Sequence, residues 1–247
     1  MIWPFKKREF DIEFVDSSNR AFTRTPVMRA ADVQPRCYAT QKEKFGKVRF
    51  PQCPSMIDYA RMGYIIPAWA DIHILANKAG VSHFVGSEKR GSPFAEGRRM
   101  DSSIIEGILD PEDDVPLTVL HFGSPWSIFA AKGVSALLMP ATYHSDFLDD
   151  IMVLPGVVDY DKFHTVNLIC APRRTCDVRI RAGDPLLHVI PLRVEDIKGG
   201  LGPASIEQQG MLGNQIYTGS SQIYRKMYQA VKKFTLSPTS KDTPTEL

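Results

Sequence analysis

The sequence is poor in cysteine, carries almost no net charge and has no long apolar run. Its four cysteines, Cys37, Cys53, Cys170 and Cys176, form no CxxC pair in 247 residues. That spacing excludes a zinc knuckle or a thioredoxin-type motif and fits free thiols in a reducing compartment. The longest apolar stretch, Trp126 to Ala141, is broken by Lys132, Gly133 and Pro140 and is too short to span a bilayer. Met1 to Phe5 run straight into Lys6-Lys7-Arg8, which leaves no apolar segment of signal-peptide length. Thirty basic residues against 28 acidic ones leave +2, no footprint for bulk nucleic-acid or membrane binding. There is no internal repeat and no strand–helix–strand alternation, so a parallel sheet is disfavoured.

What is present is an ordinary globular composition, 43% hydrophobic and 23% charged. At roughly 100–200 residues per domain, this length makes one large domain or two small ones. The first fifty residues hold 11 Lys/Arg against six Asp/Glu, with Phe10, Ile12 and Phe14 alternating with acids as in a half-wet strand. They read as a basic strand and arm. Ser55 after Pro54 is a candidate N-cap for a short helix over 56–62, closed by Gly63. Residues 86–116 are polar and glycine-rich, end in Asp110-Pro111-Glu112-Asp113-Asp114, and read as a surface insertion.

Beyond the insertion, short β-branched and aromatic runs follow one another: Leu117 to Phe122, Trp126 to Ala130, Val134 to Met139, Ile151 to Leu154, Phe163 to Cys170, Cys176 to Arg181 and Leu186 to Leu192. Runs of this length, with Gly, Pro and Asp between them, predict a mainly β fold, a jelly roll or β-sandwich, over residues 51–198. Residues 199–247 read as a glycine-rich strap, an amphipathic helix and a polar tail. In that helix Ile223, Tyr224, Met227, Val231 and Phe234 share a face.

Two stretches carry chemical signals. Leu154-Pro155-Gly156-Val157-Val158-Asp159-Tyr160-Asp161, followed by Ala182-Gly183-Asp184-Pro185-Leu186-Leu187-His188, resembles the third and fourth motifs of the trimeric dUTPase and dCTP-deaminase superfamily. The resemblance implies a dUTPase-like barrel in which Asp159 would act on water as the base and Asp161 would be a Mg²⁺-side acid. It covers roughly 40 residues and departs from the family pattern elsewhere. Ala130-Ala131-Lys132-Gly133 stands where a phosphate-binding motif would be, Gly199-Gly200-Leu201-Gly202 is a faint echo of the nucleotide clamp, and Phe163 is one residue out of register with the base-stacking Tyr. The second signal is His144-Ser145-Asp146. An H-x-D pair with a distant His is the ligand set of non-haem iron oxygenases on a cupin-like barrel, and His164 or His188 would be the third ligand, His188 being the one taken forward, with Arg193 beyond it for a 2-oxoacid.

A longer pattern runs through Cys53-Pro54-Ser55-Met56, Gly63 to Asp71, Pro125-Trp126, Lys132-Gly133-Val134-Ser135, Pro155 to Asp159 and Gly183 to Pro191. It resembles a family of tailed-bacteriophage proteins, frequent in marine phages. The motif residues are mostly Gly, Pro, Trp and apolar positions, which determine fold rather than chemistry. The resemblance implies a phage gene product, expected in the virion or the host cytoplasm; the residues themselves offer no cofactor site and no membrane segment. Such a protein would act in particle structure or assembly and bind other phage proteins and copies of itself. Lys6, Lys7 and Arg8 of the arm and Tyr224, Met227 and Phe234 of the helix are the candidate partner-binding residues.

Overall fold

The computed structural model describes residues 11–18, 25–46, 53–86, 94, 97–193 and 205–206. The arm residues Lys6, Lys7 and Arg8 and the C-terminal helix with Tyr224, Met227 and Phe234 lie outside them. The chain divides into two compact units, residues 1–40 with 60–196, and residues 41–59 with 197–247. The described part of the second unit holds most of α1 (Cys37–Phe45) and of α2 (Pro54–Arg61). The first unit is built of antiparallel sheets, as the run of short apolar segments predicts. Among the described residues no helix is long and apolar enough to cross a membrane.

Three sheets make up the β unit. The first has β1 (Ile12–Asp16), β7 (Val119–Ala130), β11 (Thr165–Pro172) and β9 (Ile151–Val153) in that order, with β6 (Gly97–Met100) also on β7. The second runs β10 (Gly156–Val158), β8 (Val134–Pro140), β13 (Pro185–Arg193), β3 (Tyr64–Pro67), β2 (Met28–Arg29). The third runs β12 (Cys176–Ile180), β4 (Asp71–Asn77), β5 (Gly80–Gly86). Their inner faces share one core, to which Leu120, Phe122 and Ile128 come from the first sheet, Ile66, Leu187 and Val189 from the second, and Ile72, Ile74 and Val178 from the third. Strand periodicity explains the selection: along β4, Ile72, Ile74 and Ala76 are buried while Asp71, His73 and Leu75 face outward. The β4–β5 hairpin closes on Asn77, whose Oδ1 accepts the Ala79 N–H at 2.8 Å.

Three elements differ from the sequence reading. The runs Leu117–Phe122 and Trp126–Ala130 fall on a single strand, β7, which starts at Val119 and continues through Gly123-Ser124-Pro125. There the β11 register shifts, with Ser127 opposite Thr165 and Gly123 opposite Asn167. The bulge accommodates Pro125, which has no N–H for a ladder, and Ser124 Oγ accepts the Trp126 N–H at 3.1 Å. The insertion 86–116 is also not all loop. Gly97 to Met100 pair with Val119 to Phe122, and Ser102–Ile105 form a 3-10 turn that buries Ile105. A Cβ on Gly97 would sit 2.4 Å from the Phe122 ring, so the glycine is what lets this polar strand approach. Finally, α2 starts at Pro54, so Ser55 lies inside the helix rather than capping it.

Candidate functional site

The Asp159 site is made where two turns meet. The first joins β7 to β8: Val134 donates its N–H to Ala131 at 3.0 Å, and Gly133 takes the positive φ of +76° that this turn needs. The second follows β10: the N–H groups of Lys162 and Phe163 both donate to Asp159 O at 2.9 Å. Antiparallel pairing of Val158 with Ala136 sets the register that brings the two together. Tyr160 anchors the second turn. Its side chain is fully buried, and its carbonyl accepts the Ala130 N–H at 3.1 Å. Burial pushes the phenol's pKa up, and the hydroxyl has no hydrogen-bond partner among the described residues.

With Tyr160 inside, its neighbours are turned outward. Ser135 Oγ donates to Asp159 Oδ1 at 2.6 Å, Lys162 Nζ stands 3.4 Å from Asp159 Oδ2, and the Gly133 N–H points to Asp161 Oδ2 at 3.4 Å. The Ser135 hydrogen bond, with the Lys162 charge behind it, holds the Asp159 carboxyl below the usual carboxylate range. Such a carboxylate stays ionised at neutral pH. It can orient a water or a cationic group, but it is a weak proton acceptor. The motif pattern picks out Asp159 and Asp161. Ser135, the partner of Asp159, is not marked as one, because the β8–β10 register is what places it there. Phe163 projects beside the turn, 66% exposed, and Val157 on β10 is 58% exposed.

The proposed iron ligands do not converge. His144 and His188 are buried, and their Nε2 atoms lie at the backbone carbonyls of Ala60 (3.2 Å) and Met62 (2.5 Å). Asp146 is turned outward, where its Oδ2 meets Arg36 Nη1 at 3.0 Å. Two steps along a tight turn reverse the side-chain direction, so the H-x-D spacing does not put both groups on one side. Arg193 pairs with Asp11 at 3.3 Å rather than facing a ligand pocket. Among the described residues no three His, Cys, Asp or Glu side chains are placed to hold a metal ion. The acids at the end of the insertion are engaged: Asp114 with Lys78 at 2.7 Å, and Asp113 with the Thr175 N–H at 3.3 Å.

A second polar feature crosses the outer face of the third sheet. A shallow groove of about 450 Å³ is lined by Asp71, His73, Phe84, Arg179 and Arg181. His73 Nε2 lies 2.7 Å from Asp177 Oδ1, and Arg179 Nε is 3.4 Å from the same oxygen. Both partners act on Asp177, whose carboxyl is held down chiefly by the His73 hydrogen bond. Asp71 Oδ1 accepts the Ala182 N–H at 2.8 Å. The His73–Asp177 contact joins β4 to β12 and is a cross-strand pair of the kind that stabilises an exposed sheet face, while Arg179 reaches Asp177 along β12 itself. Strand alternation could have placed them on one face, but their pairing depends on the β4–β12 register.

No family model matches this chain, and no curated protein matches it.

Proposed function

We propose that this protein is a subunit of a phage particle or of the apparatus that assembles it, and that it binds other protein subunits without catalysis. The observation that carries this reading is the β10 edge. β10 ends its sheet and among the described strands pairs only with β8. It and the turn after it leave Val157 58% and Phe163 66% exposed. An open strand edge with large apolar side chains is a surface that favours pairing with another chain. The phage-family resemblance supplies the kind of partner, other phage proteins and copies of this one. Light scattering on the chromatographed protein tests the reading. Assembly is expected for the wild type, and its loss in a Val157→Lys, Phe163→Glu double variant that keeps its circular dichroism. A wild type that is monomeric at every concentration and captures no subunit from a disrupted particle overturns it.

A second reading, a dUTPase-like enzyme, is favoured by one specific contact, the 2.6 Å hydrogen bond from Ser135 to Asp159. There the ionised Asp159 would orient the attacking water, with Asp161 on the Mg²⁺ side. Pyrophosphate release from deoxynucleoside triphosphates with Mg²⁺, abolished in Asp159→Asn, would replace the assembly reading with this one. No release from any of them would remove it.

A further inference from the structure

The groove on the third sheet lies at one end of it, over Asp71, where β4 starts, and Ile180, where β12 stops. Register sets Arg179 opposite His73 and His73 opposite Phe84, so a guanidinium, an imidazole and a phenyl ring cross the three strands in one row. Phe84 is 65% exposed. Asp71, the acid in the lining, accepts the Ala182 N–H, and Arg179 meets Asp177 at 3.4 Å through one nitrogen. The other end of the sheet is the β4–β5 hairpin, and an acidic segment is fixed there. Asp114 pairs with Lys78 in the hairpin turn, Asp113 accepts the Thr175 N–H just before β12, and the Glu112 N–H donates to Arg173 O at 2.6 Å. The turn leading into this segment is anchored by buried Ile105 and leaves Ile104, Glu106, Ile108 and Asp110 exposed, Ile108 by 64%. Among the described residues the side chains of Arg181, Glu106 and Asp110 form no ion pair.

We propose that this ridge, Ile104 to Asp110, docks in the arginine groove of a second copy of the chain. Charge and polarity match on the two sides. Glu106 and Asp110 bring carboxylates to Arg179 and Arg181, whose planar forks take a carboxylate through two parallel N–H donors, and Ile108 covers the exposed Phe84 ring. The ridge cannot fill the groove of its own chain: β4 runs seven residues from one end to the other, about 20 Å at the rise of a strand. The contact therefore joins two different patches. Each pair of copies keeps one free ridge and one free groove, so copies add head to tail into a ring or a filament. Neither β10 nor the turn after it takes part, so this inference goes beyond the assembly reading and stands or falls apart from it. It is a weak contact. Ion pairs at an exposed surface are screened by salt, so it comes apart on the dilution of chromatography and forms in concentrated protein at low ionic strength.

Sedimentation equilibrium of the full chain at high concentration tests it, in the Val157→Lys, Phe163→Glu background so that the β10 contact does not contribute. Association is expected at low salt and should weaken as salt is raised. Arg179→Glu with Arg181→Glu, and separately Glu106→Lys with Asp110→Lys, should each weaken it about tenfold or more, because like charges then meet. An equimolar mixture of the two reversed proteins should regain it, since every contact between unlike copies again joins opposite signs. A parent that stays monomeric at low salt overturns the proposal, as does a mixture that regains nothing while both proteins keep their circular dichroism. Loss in the groove pair alone, with the ridge pair associating as its parent does, also overturns it and leaves the groove to a different acidic partner. If a reversed pair does not fold, Arg179→Gln with Arg181→Gln and Glu106→Gln with Asp110→Asn take its place, and association equal to the parent's then overturns the proposal.

Discussion

Among single residues, the thiols are ranked by their surroundings. Cys53 Sγ lies 3.3 Å from Ser55 Oγ, and that contact, with the Met56 N–H, holds its thiol below the ordinary value. Burial pushes Cys170 up to about 12 and also raises Cys37 and Cys176. Since the thiolate is the reactive species, a disulfide-exchange reagent applied to the native protein should modify Cys53 first and Cys170 last. Peptide mapping of the first modified site checks this, and Cys53→Ser should remove the fast phase. Gly63 gives a second residue-scale prediction. Ala in its place would meet the Val189 carbonyl as well as the positive φ, so Gly63→Ala should destabilise by clearly more than the ~1 kcal/mol of an ordinary left-handed glycine. Urea unfolding measures it, and a near-neutral result would mean that the α2–β3 turn is not held as tightly as its geometry indicates.

Among the described elements, β7 pairs with the most strands, β1, β6 and β11, and its bulge is the part most open to test. Removing the buried hydroxyl with Ser124→Ala would leave the Trp126 N–H without its partner. The expected cost is about 1–3 kcal/mol, read as a lower denaturation midpoint with an unchanged slope. The same element shows where sequence reading stops. The alternation of Ile72, Ile74 and Ala76 and the apolar runs after residue 117 make the strands legible, because each carries its own period. Pro125 reads as a break because the bulge that accommodates it is a property of the β7–β11 pair, not of either strand. β6 is illegible for a different reason: Gly97-Arg98-Arg99 has no apolar period, and its place is set by pairing with Val119 to Phe122, which the missing Cβ of Gly97 permits. The same limit applies to the site. Gly156 and the Asp159-Tyr160-Asp161 triplet mark a turn, whereas Ser135 reaches Asp159 through the β8–β10 register. His144 and His188 were legible as candidate ligands. Their partners are backbone carbonyls, which no side-chain spacing encodes.

On the scale of the whole molecule, one core is lined by all three sheets, so damage to it should be felt throughout the β unit. Phe122 is 1% exposed and packs both under Gly97 and against His83, whose ring it meets edge-on at 5.5 Å. Phe122→Ala should cost about 3–5 kcal/mol, checked by urea unfolding followed at two probes, the tryptophans and the backbone. If the core is continuous, the two curves move together. If only one moves, the sheets unfold separately. The order of strands in the second sheet has a further result for how the chain is made. β13 is the last described strand to leave a ribosome, yet it lies in the middle of that sheet, between β8 and β3. Until Pro185 and its successors emerge, β3 and β8 each present an open edge with no strand to fill it. A chain arrested or truncated before that point lacks its central strand and keeps two sticky edges, so it is expected to be held by chaperones or to aggregate rather than to wait folded.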